Sequence, residues 1–395
     1  MKQNKEIPAG YKDSPLGIIP ESWKIKKLGE IGKIYSGGTP DTDNPLYWNG
    51  EINWCTPTDI TALNGNKYIG NTITKITTEG LNNSSAKLLP PNSIIVCTRA
   101  SIGKTVISKF NIATNQGFKN IVPNENIDTH YLYYVVSNSE TKLLKLGSGS
   151  TFLEVSKSDF ENLKFAFPPI VEQVKIAQIL SLWDNAIEKQ KKLVEKLERK
   201  KRAVMQSIMT GKIRLFGFTK KWGDTELGDL LDYIQPTPYL VRDTLYDEKH
   251  PVPVLTAGKT FVLGYTNETD GVFVDLPVII FDDFTTASKF VNFPFKAKSS
   301  AMKILKAKKN VNIKFVYEAM KQIKYSIGGH ERHWISKFSF ITIPLPGIEE
   351  QTAIAEVFTT ADQEINSAKA KLNSLIIQKK GLMQQLLTGK TRVKL

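Results

Sequence analysis

Two segments of the chain decide its fold, because they repeat one another. Residues 168–215 read PPIVEQVKIAQILSLWDNAIEKQKKLVEKLERKKRAVMQSIMTGKIRL, and residues 346–395 read PGIEEQTAIAEVFTTADQEINSAKAKLNSLIIQKKGLMQQLLTGKTRVKL. With Glu172 aligned on Glu350, the segments match without a gap at an offset of 178 residues, the difference between those two numbers. Both begin near a Glu-Gln pair and end near Thr-Gly-Lys. Helical periodicity alone would not place both ends in one register, so the chain contains an internal duplication.

Apolar residues recur in both segments at alternating steps of four and three residues. This spacing, sustained over about five heptads, is typical of a coiled-coil seam. The clearest seam residues are Ile176, Leu180, Trp183, Ile187 and Leu197 in the first segment and Ile354, Phe358, Ile365, Leu372 and Leu375 in the second. Each copy interrupts its seam with a lysine at the same step, Lys201 or Lys379.

The ends of both segments carry helix-terminus signals. Glu172 and Glu350 lie in the first turns, where the helix dipole favours anions. Gly211 and Gly389 stand where a C-terminal glycine cap belongs. A helix of roughly 39 residues spans about 58 Å. Two such helices with matching apolar stripes are expected to bury those stripes against each other.

A globular domain is predicted before each helix. Trp23-x4-Leu28-Gly29 opens the first domain, and Trp222-x4-Leu227-Gly228 opens the second. An alternating strand precedes each helix, so each helix grows out of the edge of its domain. The middles of the two domains show no convincing similarity. We predict a mixed α/β (α+β) fold with a first domain at 1–167, a helical spacer at 168–215, a second domain at 216–345 and a second spacer at 346–395.

Composition favours a polyanionic partner. The formal net charge is +14 and the isoelectric point is near 9.4, a balance common in proteins that bind nucleic acid or membrane surfaces. Residues 189–202 alone contain eight basic side chains. Taken by itself, this run is better interpreted as a solvated coiled-coil flank than as a DNA-facing surface.

Three further features indicate a cytoplasmic protein without a membrane span. No apolar run approaches the ~18 residues that a span needs. Residues 1–10 are polar and lack the apolar core of a signal peptide. The chain has two cysteines, Cys55 and Cys97, too few for a disulfide scaffold or a cysteine zinc site, which fits a reducing compartment.

Polar and aromatic loops supply the candidate DNA contacts, since such side chains suit groove and phosphate contact. The candidates are Thr39, Trp48, Asn49, Arg99, Lys104, Tyr239, His330, Arg332 and His333. The competing interpretation is structural, because a tryptophan such as Trp48 more often packs in a core or a turn. The last three are favoured because a Gly-Gly loop presents them.

Motifs of catalysis are incomplete in this chain. Gly103-Lys104-Thr105 resembles the end of a phosphate-binding loop, but the first glycine of that motif would fall on Thr98. Asp282-Asp283 is not followed at short range by a nuclease-type Glu-x-Lys. The histidine pair of the Gly-Gly loop lacks further ligands for a metal. We therefore predict no catalytic residue, no cofactor site and no metal site.

The duplicated motifs together resemble the specificity subunit of type I restriction-modification systems, over nearly the whole chain. The motifs that carry the resemblance are the two Trp-x4-Leu-Gly openings, Gly38-Thr39-Pro40, Tyr47-Trp48-Asn49-Gly50, Pro-x-x-x-Glu-Gln at 168–173 and 346–351, and Thr-Gly-Lys-x-Arg at 210–214 and 388–392. The second domain departs from the pattern. It has Gln235-Pro236-Thr237-Pro238 in place of Gly-Thr-Pro, so base-reading loops cannot be transferred to it from the family.

The resemblance implies a non-catalytic DNA-recognition subunit. Two target recognition domains would be held apart by an antiparallel helix pair, and each would read one half of a bipartite double-stranded DNA sequence. The helices would set the unread spacer and dock two methyltransferase subunits, which supply the S-adenosylmethionine chemistry. Two restriction subunits, ATP/Mg²⁺-dependent translocase-nucleases, would complete the complex.

Two other functions stay open on the residues alone. The chain could be a coiled-coil scaffold that joins two protein-binding domains without touching DNA, although the basic excess argues against it. It could also be an enzyme acting on nucleic acid, but only if residues distant in sequence assemble a catalytic site.

Overall fold

The computed structural model describes residues 7–147, 153–258, 260–323, 325 and 333–394. The chain divides into two compact units, residues 1–189 with 372–395, and residues 190–371. Each unit therefore contains one globular domain together with parts of both long helices. No helix in the described ranges is long and apolar enough to cross a membrane.

The first unit is a mixed α/β domain. Its strands are β1 Tyr11–Lys12, β2 Ile19–Pro20, β3 Lys24–Lys27, β4 Gly32–Ser36, β5 Trp48–Cys55, β6 Tyr68–Ile69, β7 Lys75–Ile76, β8 Ile94–Cys97, β9 Thr105–Ser108, β10 Ile112–Thr114, β11 Phe118–Pro123 and β12 Lys164–Phe167. Its helices are α1 Leu28–Ile31, α2 Pro57–Ala62, α3 Thr78–Asn82, α4 Thr129–Ser137, α5 Glu140–Leu146 and α6 Lys157–Asn162, followed by the long helix α7 Ile170–Met209.

Its strands form a five-stranded sheet in the order β4-β11-β8-β9-β6 and a three-stranded sheet β10-β5-β7. Strand β8 is buried along its whole length, as its apolar run predicts. Strands β3 and β12 pair antiparallel, with Lys24 opposite Phe167, and this pair delivers the chain to the start of α7.

The second unit has the same architecture on a smaller scale. Its strands are β13 Gly223–Glu226, β14 Leu231–Ile234, β15 Val252–Leu255, β16 Val262–Thr266, β17 Val278–Asp282, β18 Ser288–Val291, β19 Lys296–Ala297, β20 Met302–Ala307 and β21 Thr342–Leu345. Its helices are α8 Leu227–Leu230, α9 Ile313–Met320, α10 His333–Ser336 and the long α11 Ile348–Leu386.

The two domains share a topology that their sequences conceal. The order β14-β20-β17-β18 repeats β4-β11-β8-β9, and the parallel pair β15-β19 repeats β5-β10. Gly223 lies opposite Leu345 in β13-β21, in the register that β3-β12 uses. The duplication therefore includes the domains as well as the helices.

The long helices match the predicted seam. Every seam residue named above is buried or half-buried. Val204, the next residue of the four-three spacing after Lys201, is 36% exposed. The helices end at Met209 and Leu386, and the glycines that follow, Gly211 and Gly389, have φ of +68° and +71°. A side chain at those left-handed positions would be strained, which explains why both copies use glycine there.

Within each unit the start of one long helix packs with the end of the other in a single core. In the first unit Ile176 and Leu180 share a cluster with Leu386 and domain residues such as Trp23. In the second unit Ile354 and Phe358 share a cluster with Ile208. The helices therefore run antiparallel in each unit.

Candidate nucleic-acid interface

A tight loop after β4 holds the first contact candidate. A Cβ added at Gly37 would lie 1.8 Å from the Asn115 carbonyl oxygen, and one at Gly38 would lie 2.3 Å from the Ala86 nitrogen. Only glycine permits this close approach of backbones. Thr39 follows and hydrogen-bonds Gln116, so the loop after β4 and the loop after β10 lie side by side.

Trp48 lies beside this loop and is half-buried. Its indole nitrogen donates to the Asp41 carbonyl at 3.0 Å, and its ring meets the Trp54 ring edge-on at 5.1 Å. The Trp54 indole in turn donates to the Gly38 carbonyl. Asn49 is exposed, with φ of +59°. Trp48 therefore supports the loop, and Asn49 is the neighbour that solvent reaches.

The turn between β8 and β9 completes this surface. Thr98 donates its backbone N–H to the Gly117 carbonyl, which places Arg99 next to the loop that contains Gln116. Lys104 ends the turn and is exposed. The structure thus brings Thr39, Arg99 and Lys104 onto neighbouring loops of one domain. Gln116 joins them, although no sequence motif singled it out.

Matching hydrogen bonds identify the equivalent loops of the second domain. The bond from Gly38 to Thr114 is repeated from Val241 to Ala297, and the bond from Asn115 to Cys55 is repeated from Lys298 to Leu255. The loop after β14, the turn after β17 and the loop after β19 therefore correspond to those carrying Thr39, Arg99 and Gln116. Their outward side chains include Arg242, Phe284 and Lys298.

A buried lysine organises the second domain's loop. Lys296 is 1% exposed and donates to the Asp270 carbonyl at 2.6 Å, with the Glu268 carboxylate 2.8 Å away. Glu268 also accepts the backbone N–H groups of Arg242 and Asp243. Tyr239 packs its ring edge-on against Phe273 at 4.9 Å, so this candidate is half-buried.

The structure corrects one prediction, namely that the His333 side chain contacts DNA. Its side chain is fully buried, and Nδ1 lies 3.3 Å from the Tyr325 hydroxyl. A buried imidazole cannot contact DNA, so His333 is withdrawn as a contact candidate. Its backbone N–H bonds the Asp283 carbonyl as that of Val155 bonds Thr98, which makes it a core position of the repeat. His330 and Arg332 lie outside the described residues.

The repeated motif residues pair with one another. In the first unit the Glu172 carboxylate is buried and accepts the Trp23 indole N–H at 3.1 Å and two bonds from Arg392 at 2.7 and 2.9 Å. The second unit repeats this arrangement with Glu350, Trp222 and Arg214. The opening, helix-start and helix-end motifs of the sequence thus form one site in each unit.

The glutamine beside each glutamate anchors a domain helix. The Gln173 side chain donates to the Pro168 carbonyl and accepts the backbone N–H of Asp128, the N-cap of α4. The Gln351 side chain does the same for Asn312, the N-cap of α9. Each long helix is therefore hydrogen-bonded to its own domain at its first turn.

A polar cluster surrounds the seam lysine of the first unit. The first seam cluster consists of Lys67, Tyr134, Ser181, Asp184 and Lys379. Lys379 lies 2.5 Å from one Asp184 oxygen, and Tyr134 and Lys67 bond the other. Burial, reinforced by the bond to Asp184, raises the pKa of the Tyr134 hydroxyl. The phenol therefore remains a hydrogen-bond donor to the carboxylate.

The second seam cluster consists of Lys201, Lys314, Glu318, Lys321 and Asp362. Lys201 lies 2.5 Å from Asp362 and 3.2 Å from Glu318, whose side chain is fully buried. Burial alone would raise the pKa of Glu318, but the neighbouring lysines, Lys314 first, lower it below its usual value. The pKa of Asp362 is also lowered, because bonds from Lys201 and Lys314 outweigh its burial.

The two clusters occupy equivalent places. Asp362 and Lys379 follow Asp184 and Lys201 at the same offset of 178 residues. Tyr134 and Glu318 are each the sixth residue after the N-cap of their domain helix, so a phenol in one unit replaces a carboxylate in the other. The duplication thus preserves the ion pair and varies the domain's contribution.

Comparison with known proteins agrees with this duplication. The family model described as "Type I restriction modification DNA specificity domain" matches twice, over residues 20–199 and 219–376. The chain belongs to this DNA specificity family. Each match begins before a Trp-x4-Leu-Gly opening and ends within a long helix, so each covers one repeat.

Two specificity subunits and one structure illustrate the relationship. The chain is 37% identical to the MjaIX specificity subunit of Methanocaldococcus jannaschii over 48% of the chain and 44% of the relative, and 50% identical to the EcoR124I/EcoR124II specificity subunit of Escherichia coli over 30% and 31%. It thus spans less than half the length of each. An S subunit from M. genitalium, 16% identical, shares the fold with a TM-score of 0.61 over 92% of the chain and 96% of that structure.

The predicted fold class is confirmed. This chain combines mixed helix and strand domains with long helices in a tandem repeat, and it shares its fold with the S subunit from M. genitalium. The basic run at residues 189–202 is mostly exposed on α7, and Glu198 there pairs with Lys369 of α11 at 2.6 Å. This run therefore also carries an acidic residue that forms an ion pair with the other long helix.

Proposed function

We propose that this chain is the DNA-specificity subunit of a type I restriction-modification complex. Each globular domain reads one half of a bipartite double-stranded DNA target, and the helices set the unread spacer. The single observation that carries the proposal is the double match to the DNA specificity family, one match for each repeat.

The reading surfaces in this proposal are the neighbouring loops described above. In the first domain they present Thr39, Asn49, Arg99 and Lys104, with Gln116 beside them. In the second domain they present Arg242, Phe284 and Lys298, with Tyr239 behind them. Basic side chains there would bind phosphates, and amides and aromatic rings would contact base edges.

The partners in this proposal are two methyltransferase subunits, which dock on the helices, and two restriction subunits. S-adenosylmethionine would bind the methyltransferase subunits, and ATP with Mg²⁺ would bind the restriction subunits. The chain itself would hold no cofactor and catalyse no step. Its own contribution would be to choose the DNA sequence at which the partners act.

Salt-dependent DNA binding tests this function. The chain purified with its methyltransferase partner is titrated with duplex DNA from its host genome between 50 and 200 mM salt. A protein making roughly six to ten phosphate contacts loses about 10³- to 10⁵-fold in affinity over such a range. Steep loss is the expected result. Salt-insensitive partner binding without DNA affinity would instead support a scaffold.

A variant pair adds specificity to this test. Arg99→Ala removes a predicted contact and should weaken binding and reduce the salt slope, because one phosphate contact corresponds to a slope of about one. Lys157→Ala, which breaks an exposed pair with Glu161 on α6, is the matched control and should leave both unchanged.

A further inference from the structure

The apolar seam alone permits more than one helix register. Its residues repeat every heptad, so a slip of seven residues lays apolar side chains on apolar side chains again. Such a slip moves one helix along the other by about 10.5 Å. About three base pairs of DNA cover that distance, at roughly 3.4 Å per base pair. A seam that also sets a DNA spacer therefore needs a feature that heptad repetition does not reproduce.

The seam lysines provide that feature. Each is largely shielded from solvent, with 9% of the Lys201 side chain and 17% of the Lys379 side chain exposed. Each reaches across the seam to an aspartate of the other helix.

A seven-residue slip would carry both lysines away from their aspartates. In one direction they would lie opposite Ala177 and Ala355, and in the other opposite Lys191 and Lys369. Both arrangements are costly, because a shielded charge is left without a partner or is placed beside a like charge.

Both ion pairs specify one register. In an antiparallel pair the sum of paired residue numbers is constant, and it is the same for Asp184 with Lys379 as for Asp362 with Lys201. The Gln190 side chain adds a bond to the Ala368 carbonyl at 2.9 Å in the same seam. The duplication thus repeats one ion pair in both units, and each copy holds its helices in the same alignment.

The globular domains are attached to the same charges. Tyr134 of α4 and Lys67 contact Asp184 in the first unit. Glu318 and Lys314 of α9 contact Lys201 and Asp362 in the second. Each cluster consequently ties two long helices and one domain helix together, so a register fixed at the seam also fixes where the domain is held.

We propose that the two seam clusters are positioning sites that fix the helix register and thereby the spacer length that the chain accepts in DNA. This inference rests on the proposed function. Polar groups in a seam specify register at a cost in stability. Removal of one partner from a buried ion pair is destabilising when the other charge is left alone, but here each carboxylate keeps a second lysine. The clusters should therefore matter more for spacer choice than for stability.

Paired lysine substitutions test the proposal. Lys201→Met with Lys379→Met makes the seam uniformly apolar, while every cluster carboxylate keeps another lysine neighbour. Leu197→Ala is the matched control, because it truncates an apolar seam residue and leaves both clusters intact. The full chain with its methyltransferase partner is titrated with duplexes whose spacers are natural, one base pair longer or shorter, and three longer or shorter.

The expected result separates stability from spacer choice. The double variant should keep half-site recognition and lower the unfolding temperature no more than Leu197→Ala does. It should lose about tenfold or more of its preference for the natural spacer, chiefly against the three-base-pair changes. Leu197→Ala should lower the unfolding temperature and keep the spacer preference. An unchanged preference in the double variant overturns the proposal.

Two further results also bear on the proposal. If the double variant does not fold, the single variants Lys201→Met and Lys379→Met each remove one seam ion pair, and an unchanged spacer preference in both overturns the proposal. If the natural chain binds no DNA or ignores spacer length, the proposed function itself fails, which is distinguishable from failure of the positioning role alone.

Discussion

Glu172 and Glu350 explain, at the scale of single residues, why three separate motifs repeat in this chain. Each carboxylate is buried and accepts bonds from a tryptophan indole and an arginine guanidinium. Burying a carboxylate is costly unless it is paired and hydrogen-bonded. The tryptophan, glutamate and arginine of each repeat are therefore interdependent, because the buried carboxylate relies on bonds from both donors.

Arg392→Met should destabilise the first unit. It removes the charge that pairs with buried Glu172 and leaves the Trp23 bond alone. Breaking a buried pair typically costs 3–5 kcal/mol, and the partly exposed guanidinium reduces that to about 2–3 kcal/mol. Denaturant unfolding of the full chain measures the change.

Lys157→Met is the comparison for that variant, since it breaks an exposed pair with Glu161. Its effect should stay within about 0.5 kcal/mol. Equal losses in the two variants would show that the Glu172 site is no more than a surface contact.

Burial was the property of single residues that the sequence revealed least. Gly-Gly before His333 predicted an accessible loop, yet the imidazole is fully buried. Gln116 had no motif and lies beside Thr39 because two loops meet. Both outcomes depend on contacts between distant segments, which local sequence patterns do not encode.

Helices were predictable at the scale of elements because their signals are local. The four-three spacing located α7 and α11, and Gly211 and Gly389 marked their ends. The lysine interruptions of the seam were visible, but their partners were not. Pairing Lys201 with Asp362 requires the antiparallel alignment, which the structure provides.

The shared topology of the two domains was missed for a related reason. Strands β11 and β20 pair with neighbours far away in sequence, and many apolar side chains satisfy such positions equally well. Hydrogen-bond register is preserved while side chains diverge. The equivalent loops of the two domains were therefore recognised from backbone hydrogen bonds, such as those donated by Gly38 and Val241.

The second seam cluster predicts an acid-sensitive stability. The pKa values of Glu318 and Asp362 are lowered in the folded chain, so their ion pairs contribute fully above their unfolded values, near 4.5 and 3.8. That contribution is lost as pH falls and the carboxylates become protonated. The denaturant concentration at the unfolding midpoint should therefore decrease as the pH is lowered from about 5 to about 3.

Glu318→Gln provides the control for this pH dependence. It removes one titrating carboxylate from the cluster, so the midpoint should be lower near neutral pH and should change less on acidification. Chemical denaturation across that pH range gives both slopes. Parallel curves for the two proteins would contradict a contribution from Glu318.

At the scale of the whole molecule, the chain contains two unlike domains, and each is followed by a long helix with the same framework residues. Each unit repeats the glutamate site, the glutamine anchor and the seam ion pair, while the loops that face solvent differ. The repeat could be recognised in the sequence because the residues of the glutamate site, the glutamine anchor and the seam ion pair are identical in both copies. The loops proposed to contact DNA could not be identified in the same way, because base recognition would depend on loop geometry and DNA shape.

Exchange of one domain tests the central claim most directly. Residues 216–345 are replaced by the corresponding domain of another specificity subunit, and the chimaera is expressed with the methyltransferase partner. Mapping of methylated sites across the host genome then gives the target. We expect one half-site to change while the other half-site and the spacer length stay as they are. A change in both half-sites, or in neither, would contradict separate reading by the two domains.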